Sequence, residues 1–156
     1  NKSDEKRLKR LWRSSRDSAR TLVQWDASAN GGFTTSDKPW FYANENYKDI
    51  NVAQQEEDPD SILNFYRKAI SLRKKLSCVR EGNYIEHQKG SNKLYVYSRQ
   101  NARQKILVVC SFSSKKVRFK APKYFPTDVA TLALCNYDNP NPKVLKPFEA
   151  RVYLWK

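Results

Sequence analysis

Residues 60–76 read DSILNFYRKAISLRKKL, and this stretch divides the chain into two kinds of text. Ile62, Phe65, Tyr66, Ala69, Ile70 and Leu72 recur at i, i+3 and i+4 intervals, which predicts an amphipathic helix with Asp60 or Ser61 as its N-cap. The apolar stripe requires a neighbour to cover it, while Arg67, Lys68, Arg73, Lys74 and Lys75 make a basic face for water.

Downstream of Cys78 the period falls to two. Residues 93–98 and 116–120 alternate, and residues 105–110 form a continuous apolar run of the kind buried on both faces of a sheet. Residues 83–88, 129–136 and 150–155 are further strand candidates, separated by turn signals at 90–92, Asn101, 113–114 and the proline-bearing run 136–142. Short strands so spaced predict an antiparallel β-sandwich. Upstream, Leu8, Leu11 and Trp12 approach helical spacing and predict a short helix over residues 2–12 that stops near Ser14 and Ser15. Residues 16–59 are rich in Asn, Asp, Gly and aromatics and show no sustained period, so a long covering loop is expected there.

Composition narrows the function. The 156 residues contain 39% hydrophobic and 13% aromatic side chains spread along the chain, enough for a packed core. There is no Met and the first residue is the bulky Asn1, from which the chain is read as cut from a larger protein. No apolar run reaches the roughly 18 residues of a membrane helix, and no membrane partner is expected. Cys78, Cys110 and Cys135 are odd in number and widely spaced. They suit buried thiols in a reducing, cytoplasmic setting and not a metal site. The net charge of +14 can mark a nucleic-acid partner, but the basic residues sit at the amino end, on the helix and near residues 115–120 without a recognised module. A solvated surface and no nucleic acid are therefore expected.

Catalytic signals read from residues alone are weak. Glycoside cleavage needs two carboxylates about 5–10 Å apart, and spacing in this sequence cannot reveal such a pair. The lone His87 sits in a strand pattern without a nucleophile beside it, and a structural role is expected. The 4 glycines form no phosphate-cradling arrangement, and no cofactor is expected.

Longer strings carry more. From Arg16 the chain reads RDSARTLVQWD, then GFTT and PW, then NENYKDINV, then DSILNFYRKAISLRK. This order and spacing resembles the late region of alpha-glucosidases in glycoside hydrolase family 13, the alpha-amylase family, and above all the oligo-1,6-glucosidases. Those carry RDNARTPMQWD, GFTT with PW, NPNY with INV, and a DSILN-YRKLI-LRK helix. The resemblance runs from about Arg16 to Lys156. It implies the end of a (β/α)8 barrel over residues 1–77, with the helix from Ser61 as its last, followed by a C-terminal antiparallel β-sandwich over residues 78–156.

The same resemblance implies that the catalytic carboxylates lie upstream, so that no catalytic residue is present. It also assigns Arg16, the first Arg of the motif, to substrate binding. A guanidinium can fork between a carboxylate and vicinal hydroxyls, holding the non-reducing sugar in one orientation. Arg20, Gln24, Trp25 and Asp26 are expected to fix the loop, and Trp25, Trp40 and Tyr42 to be core, with stacking on sugar faces as the alternative. The sequence departs from the pattern at Leu22-Val23 for Pro-Met, Ser18 for Asn and Glu45 for Pro. The partners implied are an oligosaccharide substrate, isomalto-oligosaccharides first, and the upstream barrel of the same polypeptide. Two other readings stand beside this one: a non-catalytic glucosidase-like domain of a transporter heavy chain, and a basic nucleic-acid-binding domain.

Overall fold

The computed structural model describes residues 2–16 and 19–155, without the side chains of Lys2, Ser3 and Trp12. The chain forms two compact units, Asn1–Asn64 and Phe65–Lys156.

The first unit opens with helix α1, Lys2–Ser14, whose acidic first turn (Asp4, Glu5) and basic last turn (Arg13) both oppose the helix dipole favourably. The Ser14 hydroxyl donates to the Arg10 carbonyl at 2.9 Å, a side-chain bond that competes with the helix ladder where α1 ends. Leu8 and Leu11 are exposed. Residues 19–51 contain only 3-10 turns, at Ala29–Gly32 and Glu45–Lys48. A short helix α2, Val52–Glu57, follows. It starts because buried Asn51 adopts an extended backbone and its side chain accepts the Gln54 N–H at 3.0 Å.

Helix α3, Ile62–Lys75, coincides with the stretch that the periodicity predicts. Ser61 is its cap, the hydroxyl accepting the Asn64 N–H at 3.2 Å while donating to the Gln55 carbonyl at 2.6 Å. Asp60 does not serve as the cap; its own N–H is taken by the Asp58 carboxylate at 2.9 Å. Helix α4, Ser77–Glu81, turns the chain into the strands. Gly82, which follows it, is indispensable, because a Cβ there would stand 2.4 Å from the Cys78 carbonyl oxygen and 2.8 Å from that of Gln100.

Seven strands follow: β1 (Asn83–His87), β2 (Leu94–Gln100), β3 (Lys105–Ser111), β4 (Val117–Arg118), β5 (Thr131–Cys135), β6 (Val144–Leu145) and β7 (Ala150–Trp155). Five form one antiparallel sheet in the order β1-β2-β3-β7-β5, and β4 with β6 forms a separate two-stranded ribbon. The apolar run in β3 is central and double-sided, with Ile106, Leu107, Val108 and Val109 all buried. Each such side chain contributes roughly 1.5–3 kcal/mol by leaving water.

Alternation in the strands sorts the core into two clusters. Leu94, Val96, Leu107, Val109 and Tyr153 point to one face, where Phe119 and Leu145 from the ribbon region and Phe125 from the connection cover them. Ile106, Val108 and Leu154 point to the other, covered by Leu72 of α3, Cys78 of α4 and Leu76 between the two helices. Leu72 thus accounts for part of one side of α3. Ile62, Tyr66 and Ile70, four residues apart, are 74%, 64% and 48% exposed.

One charged pair lies inside the second unit. Glu149 and Arg151 are each fully buried, with Nε donating to Oε1 at 2.7 Å. Further bonds hold both partners. Arg151 also donates to the Val144 carbonyl (2.9 Å) and the Tyr153 hydroxyl (3.2 Å), and Glu149 accepts the Lys146 N–H (2.6 Å). Burial alone would raise the Glu149 carboxyl, but the guanidinium and the Lys146 N–H outweigh it and hold the group below its ordinary 4.5. The pair joins β6 and the turn before β7 into one polar network.

Candidate functional site

Arg16 lies on a bend just after α1, with an exposed side chain. Its carbonyl accepts the Ala19 N–H at 3.1 Å. Ser18, where the resembling enzymes have Asn, lies outside the described residues.

The loop that Arg16 leads is fixed by side-chain amides. The Gln24 amide nitrogen donates to the Ile50 carbonyl (2.5 Å) and the Asn46 side chain (3.3 Å), and its oxygen accepts from Asn44 (3.1 Å). The carbonyls of Gln24 and Trp25 accept the N–H groups of Val52 and Ala53 at 2.9 Å, so the loop returns on the first turn of α2 and satisfies its free donors. Asp26 accepts from the hydroxyl and the N–H of Ser28, and these two bonds lower its carboxyl from the ordinary value. The Asp26 carboxylate then fills the space beside Gly32, where a Cβ would stand 2.6 Å from either oxygen.

Of the four residues expected to fix this loop, Gln24 and Asp26 do so through their side chains among the described residues. Trp25 contributes through its backbone and leaves its ring half exposed, and Arg20 is exposed. Asn44, Asn46 and Asn51 carry as much of the network as Gln24 does. Their signal in the sequence is the recurrence of Asn through 44–51 without any apolar period, which suits side-chain bonds to a turning backbone.

The aromatic residues depart from expectation. Trp40 is 91% exposed, Tyr42 74% and Trp25 50%, with Phe33 and Ile50 also exposed. Aromatic type predicts burial, but the buried clusters of this chain are formed by residues beyond Leu72, and the described loop supplies no side chains to enclose these rings. Flat apolar rings exposed on a rigid loop are suited to stacking on another surface or on a sugar face.

His87 takes a structural place. Its Nε2 is 2.9 Å from the Ser98 hydroxyl and its ring meets the edge of Phe125, and burial lowers its pKa. Among the described residues no three His, Cys, Asp or Glu side chains gather to hold a metal ion. No described helix is long and apolar enough to cross a membrane.

A loop opened by an exposed arginine, braced by amides and followed by a half-covered helix can be compared with known proteins. The family model described as the alpha amylase catalytic domain matches residues 1–82. The chain belongs to the alpha-amylase family. Within that family it is 41% identical over 143 residues to a probable oligo-1,6-glucosidase of Bacillus subtilis, covering 90% of this chain and 25% of that protein. It is 40% identical over 146 residues to the oligo-1,6-glucosidase of Halalkalibacterium halodurans, again over 90% of this chain and 26% of the relative. Among solved structures, the trehalose-6-phosphate hydrolase of Bacillus licheniformis superposes with a TM-score of 0.82 at 34% identity, over 91% of this chain and 27% of that one. The chain thus spans about a quarter of the length of the family members it matches.

Proposed function

We propose that this chain is the closing quarter of a retaining alpha-glucosidase that acts on short isomalto-oligosaccharides. In that reading residues 1–77 complete a (β/α)8 barrel and residues 78–156 form the C-terminal β-sandwich. The observation that carries it is the ordered set of motifs from Arg16 to Lys75, together with an exposed Arg16 at the head of an amide-braced loop. The relatives include oligo-1,6-glucosidases and a trehalose-6-phosphate hydrolase, and the former support the choice of isomalto-oligosaccharides.

Arg16 acts here by position. Its guanidinium pairs with a carboxylate of the upstream barrel and donates to vicinal hydroxyls of the terminal glucose, and this sets the anomeric carbon against the nucleophile. The exposed face of α3 (Ile62, Tyr66, Ile70) and the exposed rings of the loop are then surfaces that the rest of the barrel covers. The two carboxylates of the reaction come from the upstream barrel, so the chain by itself does not hydrolyse a nitrophenyl alpha-glucoside.

The test is kinetic. In the full-length enzyme, Arg16→Ala lowers kcat/KM for isomaltose by about tenfold or more, because oriented binding is lost in the transition state. Arg16→Lys recovers only part, since an ammonium cannot fork. Unchanged kinetics in Arg16→Ala refutes the role of Arg16, and hydrolysis by the isolated chain refutes the placement of the carboxylates upstream.

A further inference from the structure

The net charge of the chain is unevenly divided. Residues 1–64 hold ten lysines and arginines against eleven acidic residues, whereas residues 65–156 hold twenty against five. One acid of that second unit, Glu149, is buried against Arg151. Its surface is therefore strongly cationic, and it creates a field that draws acidic partners.

Within this unit one concavity combines charge with apolar surface. A groove of about 1070 Å3 opens between the β4–β6 ribbon and strand β5. Arg118, Lys120 and Lys143 line it and are exposed, and Asp128 is its one acidic lining residue. The Gln88 side chain donates to the Lys120 carbonyl at 3.3 Å, which ties the β1–β2 turn to this lining segment. Leu132 of β5, Val144 of β6 and Tyr153 of β7 form the apolar floor. Pro126, Pro140 and Pro142 make the walls stiff, so little ordering is needed on binding.

We propose that this groove docks an extended acidic peptide segment of another protein, with carboxylates on the basic rim and alternate apolar side chains on the floor. The inference is independent of the sugar chemistry. Three observations select a peptide. Strand β5 ends the sheet order, and among the described residues no strand pairs with its outer edge, which leaves main-chain groups that an added strand can use. The aromatic rings in the lining, Phe119 and Tyr153, are each only 6% exposed and offer no platform for stacked bases, which disfavours a single-stranded nucleic acid. Of the apolar lining, Tyr153 is buried and Val144 half-buried, whereas a membrane surface meets protruding apolar side chains.

The experiment titrates the full chain against a labelled decapeptide of alternating Glu and Leu, read by fluorescence anisotropy. A Lys/Leu peptide, an RNA oligonucleotide and anionic vesicles are run in parallel. The expected result is saturable micromolar binding of the acidic peptide that weakens with salt. The double variant Arg118→Glu with Lys143→Glu weakens it by about tenfold or more, and Leu132→Asp weakens it comparably, with each variant's thermal melt recorded beside the wild type. Since rim charges are surface residues, the double variant keeps the test sound if Leu132→Asp fails to fold. No binding at about 1 mM peptide overturns the proposal. Peptide binding untouched by the double variant overturns it too. So does RNA or vesicle binding tighter than peptide binding and indifferent to the groove variants, which assigns the charge to diffuse attraction.

Discussion

Replacing Arg151 by Met probes the buried pair of the second unit and separates its electrostatic role from its packing role. Both partners are fully buried. Removing the guanidinium deletes the 2.7 Å bond to Glu149 and the donors to Val144 and Tyr153, and it strands a carboxylate away from water. Breaking such a pair from one side costs about 3–5 kcal/mol. With a urea slope of about 1–1.5 kcal/mol per M, the unfolding midpoint of the chain falls by about 2 M or more. Combining Arg151→Met with Glu149→Gln recovers at least half of the loss, because the amide oxygen still accepts the Lys146 N–H and no buried charge remains.

The pH dependence gives the sharper signature. In the wild type the Glu149 carboxyl is held below its ordinary 4.5. Its contribution is therefore complete above that value and is lost as pH falls through the lowered one. In Arg151→Met only burial and weaker bonds remain, the carboxyl rises, and its penalty is full at neutral pH and disappears as pH falls toward 4.5. Between pH 7 and 4.5 the gap between variant and wild type therefore narrows. Urea curves at several pH values, followed by circular dichroism, measure it. A loss below about 1 kcal/mol at pH 7, or a gap that stays constant with pH, refutes the reasoning.

Other consequences can be checked on the same protein. Asn51→Ala removes the N-cap of α2 and a bond to the Tyr47 carbonyl at a buried position; it costs about 1–2 kcal/mol in urea unfolding, and a neutral effect would show that α2 does not depend on its cap. Gly82→Ala drives a Cβ into two backbone carbonyls that cannot swing aside; the expected outcome is a variant recovered unfolded or with a melt lowered by more than 10 °C, about 2 kcal/mol for a domain of this size, and a wild-type melt contradicts it. Burial raises the thiols of Cys78, Cys110 and Cys135 above their ordinary value; iodoacetamide at pH 8 therefore labels the native chain slowly and the urea-unfolded chain fast, and equal rates would mean the thiols are accessible.

Long elements were legible in the sequence because they repeat. Helix α3 shows its period over four turns, and β2, β3 and β7 show alternation or continuous apolar character over six or seven residues. Short ones were not. α2 and α4 have 6 and 5 residues, less than two helical turns, and β6 has 2, so each is set by a cap or a partner and not by periodicity. Residues 116–120 alternate over five positions, but the ladder itself pairs Val117 and Arg118 with Leu145 and Val144, and the Phe119 N–H adds one bond to the Lys143 carbonyl at 2.9 Å. The candidate site was legible only through its motif. Nothing about an isolated arginine at position 16 distinguishes it from the other basic residues around it, whereas the string that follows does. The exposed Trp40 and Tyr42 run against composition, which describes what a ring prefers and not whether neighbours are there to enclose it. The basic groove draws on residues from Arg118 to Tyr153 that only the crossing of ribbon and sheet brings together.

The most direct measurement is glucose release from isomaltose by a hybrid in which this chain replaces the final quarter of an oligo-1,6-glucosidase, assayed with and without Arg16→Ala. The account predicts a kcat/KM within about tenfold of the intact enzyme, and a further loss of about tenfold or more when Arg16 is replaced. A folded hybrid, judged by circular dichroism and elution volume, that releases no glucose, or that releases it equally well without Arg16, would contradict the account.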